Sequence, residues 1–373
     1  MNCLKVKKQK TTQSIMDPEA MKNLGSSLPV PSVQELAKQG ITNVPERYVR
    51  PDQDPSFFHD TTSLPQIPVV DLNKLLSDDA AELEKLDHAC KQWGFFQLIN
   101  HGVNPSLVEC MKKSVQELFN LPLEKKKELW QKAGDMEGFG QMFVVSDEHK
   151  LEWADLFYIV TLPSYVRHPQ MFPSIPQIFR DNLEKYSLEL KKLSVTVFEF
   201  MTKALKIQPS ELLDFFEEGG QAMRMNYYPP CSQPEKVIGL NPHSDAGALT
   251  ILLQVNEMEG LQIRKDGMWI PIKPLSNAFV INVGDILEIM TNGIYRSIEH
   301  RATVNSQKER ISIAAFHSPR MNTVIGPAQS IITPETPAMF NSISVVDFYK
   351  GYFSRELQGK SYIDVMRIEN GSQ

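Results

Sequence analysis

Cysteine, uninterrupted apolar sequence and surplus positive charge are all scarce in this chain, and each scarcity removes a class of function. There are four cysteines, Cys3, Cys90, Cys110 and Cys231, with no CxxC pair and no Cys/His zinc spacing. So few over 373 residues cannot build a disulfide-stapled secreted framework. They read as free thiols in a reducing, cytoplasmic setting. No apolar run approaches the roughly 20 residues of a membrane-spanning helix. Lys and Arg together number 39 against 45 Asp and Glu, a net charge of −6 with no basic stripe for nucleic acid. The basic opening, MNCLKVKKQKTTQSIM, lacks the apolar core of a secretory signal and the arginines of a transit peptide. It reads as a loose extension, with ordered sequence expected from about Met16 or Met21.

What remains is the material of a globular protein. Apolar residues make up 42% and charged residues 23%, enough for a large core in one catalytic domain with additions or in two domains. A monomer acting on a small molecule, without nucleic-acid or membrane partners, is expected. Residues 1–63 hold Pro and polar clusters around a short helical pattern at Val33–Lys38 and read as an arm. Residues 64–215 are mostly helical, with strand-like Ile67–Leu72 and Gly94–Ile99. Their longest helix is expected at Phe179–Leu205, where apolar residues recur at steps of three and four. From 216 to 322 short apolar runs separated by Pro, Gly, Asn and Asp predict an antiparallel sandwich or barrel. Residues 323–373 form a tail with a helix at about Val345–Phe353. The class is α+β.

The chemistry sits in the β-rich region. His243 and Asp245 are two residues apart, which on an extended strand puts an imidazole and a carboxylate on one face. His300 follows an apolar run, Ile286–Met290, that reads as a strand, and a turn at Thr291-Asn292-Gly293. Two histidines and one carboxylate on one side of a metal are the donor set of non-haem iron(II) oxygenases. An HxD pair alone occurs often by chance. Ten residues beyond His300, however, Arg310 and Ser312 again share a strand face, and a guanidinium beside a hydroxyl suits a carboxylate. Glu124–Trp130 reads as a solvated charged helix. His101 and His317 read as structural.

Ordered along the chain, Trp93-Gly94-Phe95-Phe96-Gln97-Leu98-Ile99-Asn100-His101-Gly102, Glu137-Gly138-Phe139-Gly140-Gln141, Trp153-Ala154-Asp155, Asn226-Tyr227-Tyr228-Pro229-Pro230-Cys231, His243-Ser244-Asp245, His300-Arg301 and Arg310-Ile311-Ser312 are together highly specific. Over nearly all of residues 28–370 the chain resembles the plant 2-oxoglutarate- and Fe(II)-dependent dioxygenases. It looks most like the group of the senescence-related protein, codeine O-demethylase and norcoclaurine-synthase-like enzymes. The resemblance implies a double-stranded β-helix (jelly roll) core with flanking helices. It implies iron on His243, Asp245 and His300, and 2-oxoglutarate held by Arg310 and Ser312 with Tyr228 and Asn226 lining the same site. O2 would be co-substrate and ascorbate an activator. Phe139, Gln141 and Phe316 match places where related enzymes touch substrate. The implied reaction hydroxylates or oxidatively demethylates a small plant alkaloid, phenolic or terpenoid, releasing succinate and CO2. Desaturation and ring closure begin with the same hydrogen abstraction. An ascorbate-dependent enzyme like aminocyclopropane-carboxylate oxidase and a non-catalytic jelly-roll binding protein are the other readings; the second expects a lost ligand, and none is lost.

Overall fold

The structure, a computed structural model, describes residues 27–51, 64–132, 135–355 and 359–368. The expected extension at residues 1–15 lies outside the described residues.

Twelve strands build the site: β1 (Val69–Asp71), β2 (Phe95–Ile99), β3 (Gly138–Gly140), β4 (Asp155–Leu162), β5 (Gly220–Tyr228), β6 (Leu240–His243), β7 (Leu249–Gln254), β8 (Leu261–Lys265), β9 (Met268–Pro271), β10 (Phe279–Val283), β11 (His300–Ala302) and β12 (Arg310–Ser318). They form a large sheet in the order β1-β2-β10-β7-β12-β5-β4-β3 and a small one in the order β6-β11-β8-β9. The sheets face each other. Phe95 and Val280 of the large sheet share a buried apolar cluster with Ile263 and Ile270 of the small one, and Tyr228 packs with Leu240 and Ala302. This is the double-stranded β-helix, and the class is α+β as expected.

The helices used below are α1 (Val33–Lys38), α2 (Ala80–His88), α3 (Pro105–Phe119), α4 (Gln177–Leu205), α5 (Asp285–Met290) and α6 (Val345–Phe353). The three-and-four spacing explains α4, which buries Leu183, Tyr186, Leu190, Leu193, Val197 and Met201. Each such side chain contributes about 1.5–3 kcal/mol on burial. That face packs against α2, α3 and the back of the large sheet at β4, β7 and β12. The helix stops at Lys206, which adopts a left-handed conformation with φ 57°. α3 starts with Pro105 at its first turn and Asn104 accepting the N–H of Ser106, an N-terminus that proline and asparagine both favour.

The structure corrects three sequence expectations. Ile286–Met290 is not a strand but lies within helix α5. All six α5 residues are buried, and its two polar residues, Asp285 and Glu288, span a single helical step, so a run this short cannot separate the two states. Secondly, strands β3 and β4, within the region read as mostly helical, extend the large sheet itself. Thirdly, the stretch read as a solvated charged face contains Lys126, which is buried with its ammonium on the Gln34 amide oxygen. Nearby, the buried Asp155 carboxylate accepts bonds from Ser32 Oγ (2.5 Å) and from the N–H groups of Val33 (2.7 Å) and Gln34 (3.1 Å). These bonds fasten α1 to the edge of β4. Among the described residues no helix is long and apolar enough to cross a membrane.

Candidate metal and co-substrate centre

β6 ends at His243 and β11 begins at His300, and the two histidines are direct partners across that ladder. Each ring is oriented by a carbonyl two residues back: His243 Nδ1 lies 2.8 Å from Asn241 O, and His300 Nδ1 lies 3.1 Å from Ile298 O. A carbonyl only accepts, so Nδ1 carries the proton and Nε2 keeps its lone pair for a metal. Both Nε2 atoms face Asp245 Oδ1, at 3.5 and 3.6 Å. The three donor atoms lie within 4.8 Å of one another.

Burial and the neighbouring His243 lower the pKa of His300 to about 4, so its imidazole is neutral near pH 7. Burial would raise the Asp245 carboxyl, but the facing His300 and His243 rings and the Thr250 hydroxyl outweigh it and hold the group well below the usual carboxylate range. Two imidazoles with free Nε2 atoms and one carboxylate, gathered on one side of two cavities, fit an iron(II) ion.

The first cavity, about 490 Å3 including its mouth, is lined by Arg310, Ser312, Tyr228, Asn226 and all three triad residues. Strand register gathers them: Arg310 pairs with Tyr228 and Ser312 with Asn226 across β12 and β5, and Ser312 faces Gln254 across β7. Arg310 is only 2% exposed. Its Nη2 donates to Gln254 Oε1 at 2.9 Å and its Nη1 to Ser312 Oγ at 3.4 Å, while its Nε has no partner. Asn226 Oδ1 is also buried without a partner. An orphaned buried polar group costs about 1–3 kcal/mol, so the unpaired Arg310 Nε suits an anionic ligand better than an apolar one, whereas the Asn226 oxygen calls for a donor. Gly260 makes room for the guanidinium stem, since a Cβ there would sit 2.8 Å from Arg310 Cδ.

The second cavity, about 910 Å3 including its mouth, is bordered by His243 and Asp245 but not by His300 or Arg310. Its walls are Met142, Phe143, Tyr158 and Phe316, with Tyr349, Tyr352 and Phe353 of α6 as a lid-side wall. Phe143 stacks on Phe353 at 5.6 Å and holds a left-handed φ of 66°. Tyr352 donates to the Ser244 carbonyl at 2.9 Å, between the two triad residues of the HxD pair. Arg224 borders both cavities. Its Nε and Nη2 are buried without hydrogen-bond partners, and Glu152 lies 3.6 Å away as its counter-charge.

Of the three residues matched to substrate contacts, Phe316 borders both cavities. Phe139 and Gln141 line neither. Phe139 packs into the core between Phe119 and Phe157, and the Gln141 amide is spent on the carbonyls of Glu152 and Ala154. His317 lies outside both cavities, its Nε2 3.1 Å from the Gln221 amide nitrogen, and His101 packs on Phe279. Sequence reasoning missed Arg224, Thr250 and Asn282. Each is a polar residue interrupting an apolar strand, and that interruption was the available signal.

A family model described as the 2OG-Fe(II) oxygenase superfamily matches residues 219–319. Another, described as non-haem dioxygenase in morphine synthesis N-terminal, matches residues 67–175. The chain is 56% identical over 359 residues to oxoglutarate-dependent flavonoid 7-O-demethylase 1 of Ocimum basilicum, covering 95% of each chain. It is 50% identical over 360 residues to codeine O-demethylase of Papaver somniferum, covering 95% of this chain and all (100%) of that one. A crystal structure of JOX2 in complex with 2OG, Fe and JA matches with a TM-score of 0.83 at 33% identity, over 91% of this chain and 98% of that one. The chain belongs to the 2OG-Fe(II) oxygenase superfamily. Its activity is that of a 2-oxoglutarate- and iron(II)-dependent dioxygenase, an oxidoreductase.

Proposed function

We propose that the enzyme oxidatively O-demethylates a flat, oxygenated aromatic plant metabolite bound in the larger cavity. One observation carries this: a largely apolar cavity with six aromatic side chains in its lining borders His243 and Asp245 without Arg310, and Arg224 brings N–H groups without hydrogen-bond partners to it. Aromatic walls favour stacked rings. Glu152 already balances the charge of Arg224, which favours a neutral oxygen acceptor, such as a carbonyl or ether, over a second anion. The flavonoid 7-O-demethylase and codeine O-demethylase relatives support the same reading.

His243, Asp245 and His300 would hold the iron, which when bound with 2-oxoglutarate and O2 supplies the oxidation of a C–H bond. Arg310 and Ser312 hold the far carboxylate of the co-substrate, with Tyr228 and Asn226 closing the pocket around it. Phe143, Tyr352 and Phe353 exclude water and present a methoxy group to the triad. Hydroxylation of that methyl carbon leaves a hemiacetal, which releases formaldehyde and the free phenol, while 2-oxoglutarate becomes succinate and CO2. Ring hydroxylation is the neighbouring outcome when an aryl or alkyl C–H lies closer than the methyl.

The test is a panel of methoxylated flavonoids and alkaloids incubated with O2, Fe(II), 2-oxoglutarate and ascorbate. Stoichiometric succinate, formaldehyde and loss of one CH2 support the proposal. Gain of one oxygen without formaldehyde overturns demethylation, and turnover without succinate points to the ascorbate-dependent chemistry. A cytoplasmic monomer is part of the reading; the free thiols of Cys90, Cys110 and Cys231 suit a reducing compartment, and light scattering on the purified chain tests the monomer.

A further inference from the structure

Asp245 is the one anionic donor of the triad, yet strand geometry does not fix it, because β6 ends two residues earlier at His243. Its carboxylate is held instead by two side chains from the opposite sheet. Thr250 on β7 and Asn282 on β10 are direct partners across that antiparallel ladder. Both reach the same oxygen: Thr250 Oγ1 lies 2.6 Å and Asn282 Nδ2 2.8 Å from Asp245 Oδ2. The other oxygen, Oδ1, is the one that faces the Nε2 atoms of His243 and His300. A carboxylate only accepts, so the hydroxyl proton and the amide NH2 must both point at Oδ2.

We propose that Thr250 and Asn282 are positioning residues that commit Asp245 to offering a single oxygen, Oδ1, to the metal. The inference rests on the reading of His243, Asp245 and His300 as the iron centre. A carboxylate free to turn about its Cβ–Cγ bond can chelate an ion with both oxygens. It would then occupy a coordination position that the two donor oxygens of a 2-oxo acid, together with O2, require. Turning Asp245 that way breaks two hydrogen bonds to side chains that are themselves buried, which costs free energy. Nor can the pair drift, because β7 is locked between β10 and β12. The cross-strand pair, which lines the smaller cavity, thus acts on the metal's open positions through Asp245, in the way that outer partners orient metal-bound carboxylates elsewhere.

The experiment uses the full chain loaded with Co(II), whose visible absorption reports coordination number, and titrates 2-oxoglutarate into the Co(II) protein. Thr250→Val removes the hydroxyl at nearly constant volume, Thr250→Ser restores it, and Asn282→Ala is the second variant should Thr250→Val fail to fold. The proposal expects Thr250→Val to change the Co(II) spectrum before 2-oxoglutarate is added and to weaken 2-oxoglutarate binding about tenfold or more. Thr250→Ser should behave as the parent. A Thr250→Val or Asn282→Ala protein whose Co(II) spectrum and 2-oxoglutarate affinity match the parent overturns the proposal, even if its melting temperature falls, because that is a purely structural role. A parent protein that takes up no Co(II), or an Asp245→Ala protein that binds it equally well, overturns the metal reading itself and is seen separately.

Discussion

Replacing Arg310 by lysine keeps one positive charge in the pocket and removes the fork that carries it, which makes it a sharp test of how the co-substrate is held. The guanidinium is anchored on one side by Gln254 at 2.9 Å and on the other by Ser312 at 3.4 Å, and lies 5.2 Å over the Tyr228 ring. A lysine ammonium is a single point on a flexible stem. It cannot meet Gln254, Ser312 and a bidentate carboxylate at once, and it sheds water less readily on burial. The loss of one charge-assisted hydrogen bond is worth about 1.5–3 kcal/mol, which is roughly a ten- to hundredfold weaker grip on 2-oxoglutarate. Gln254 Oε1 also loses its donor, so the upper half of that range is the expectation. The assay is a 2-oxoglutarate titration of the Mn(II)-loaded protein by calorimetry, followed by succinate production with each substrate varied in turn. The KM for 2-oxoglutarate should rise and that for the organic substrate should barely move, since Arg310 lines the smaller cavity and not the larger one. If Arg310→Lys left 2-oxoglutarate binding intact and weakened the organic substrate instead, the assignment of the two cavities would be wrong.

His300→Ala should abolish succinate release and weaken Mn(II) binding by about a hundredfold or more, and retention of one tightly bound ion per chain would refute the triad. Arg224→Met, made with Glu152→Gln so that no buried carboxylate is stranded, should raise the KM for the organic substrate by about tenfold; a change confined to 2-oxoglutarate would move Arg224 to the other cavity. Glu137 is pushed up to about 7 by burial, so the folded chain holds a proton that the unfolded chain has released. Its contribution to stability is therefore complete at low pH and is lost as the pH rises through about 7. Glu137→Gln should flatten that decline, gaining on the order of 2–3 kcal/mol over the parent by about pH 8, and urea unfolding curves that shift in parallel with pH would count against it.

The metal triad and the Arg310–Ser312 pair were legible because His243 with Asp245, and Arg310 with Ser312, stand at strand-face spacing and follow one another in an order that resembles a known family. Even so, the spacing argument worked for a reason only partly its own. His243 and His300 do meet as ladder partners, but Asp245 lies past the strand end and is aimed by Thr250 and Asn282. That support depends on the register between β7 and β10, which no local pattern encodes. Helix α5 hid because six residues, with only Asp285 and Glu288 polar, are too few for a helical period to be told from a strand. Phe139 and Gln141 show the limit of placing residues by resemblance. Phe139 is turned into the core at β3 and Gln141 is spent on backbone carbonyls, so a matching position did not carry a matching role. The cavity walls were the least legible part, because Phe143, Tyr158 and Phe353 come from distant segments and each reads as ordinary core.

Those walls and the reacting groups belong to different layers of the molecule, and that separation accounts for what one sequence can disclose. Arg310 and Ser312 sit on β12, held between β5 and β7; His243 and His300 sit on paired strands. A slip of one residue in any of these ladders would turn the functional side chain to the opposite face, so the chemistry is tied to the register that makes the fold. Tyr158 and Phe316 share that tie, but the rest of the larger cavity's aromatic wall is tied to much less. Met142 and Phe143 lie in the segment after β3, and Tyr349, Tyr352 and Phe353 on a helix near the chain's end. Exchanging these side chains reshapes the cavity without disturbing a single ladder that holds the triad. One scaffold can therefore keep its reaction while its substrate changes, as the flavonoid and codeine demethylase relatives, 56% and 50% identical to this chain, illustrate. A strong physical hold on substrate identity is then a polar residue that belongs to both layers. Arg224 lies on β5, tied to the register, yet its guanidinium reaches the substrate cavity, so it should constrain which oxygen of a substrate is held while the aromatic walls decide which ring system carries it.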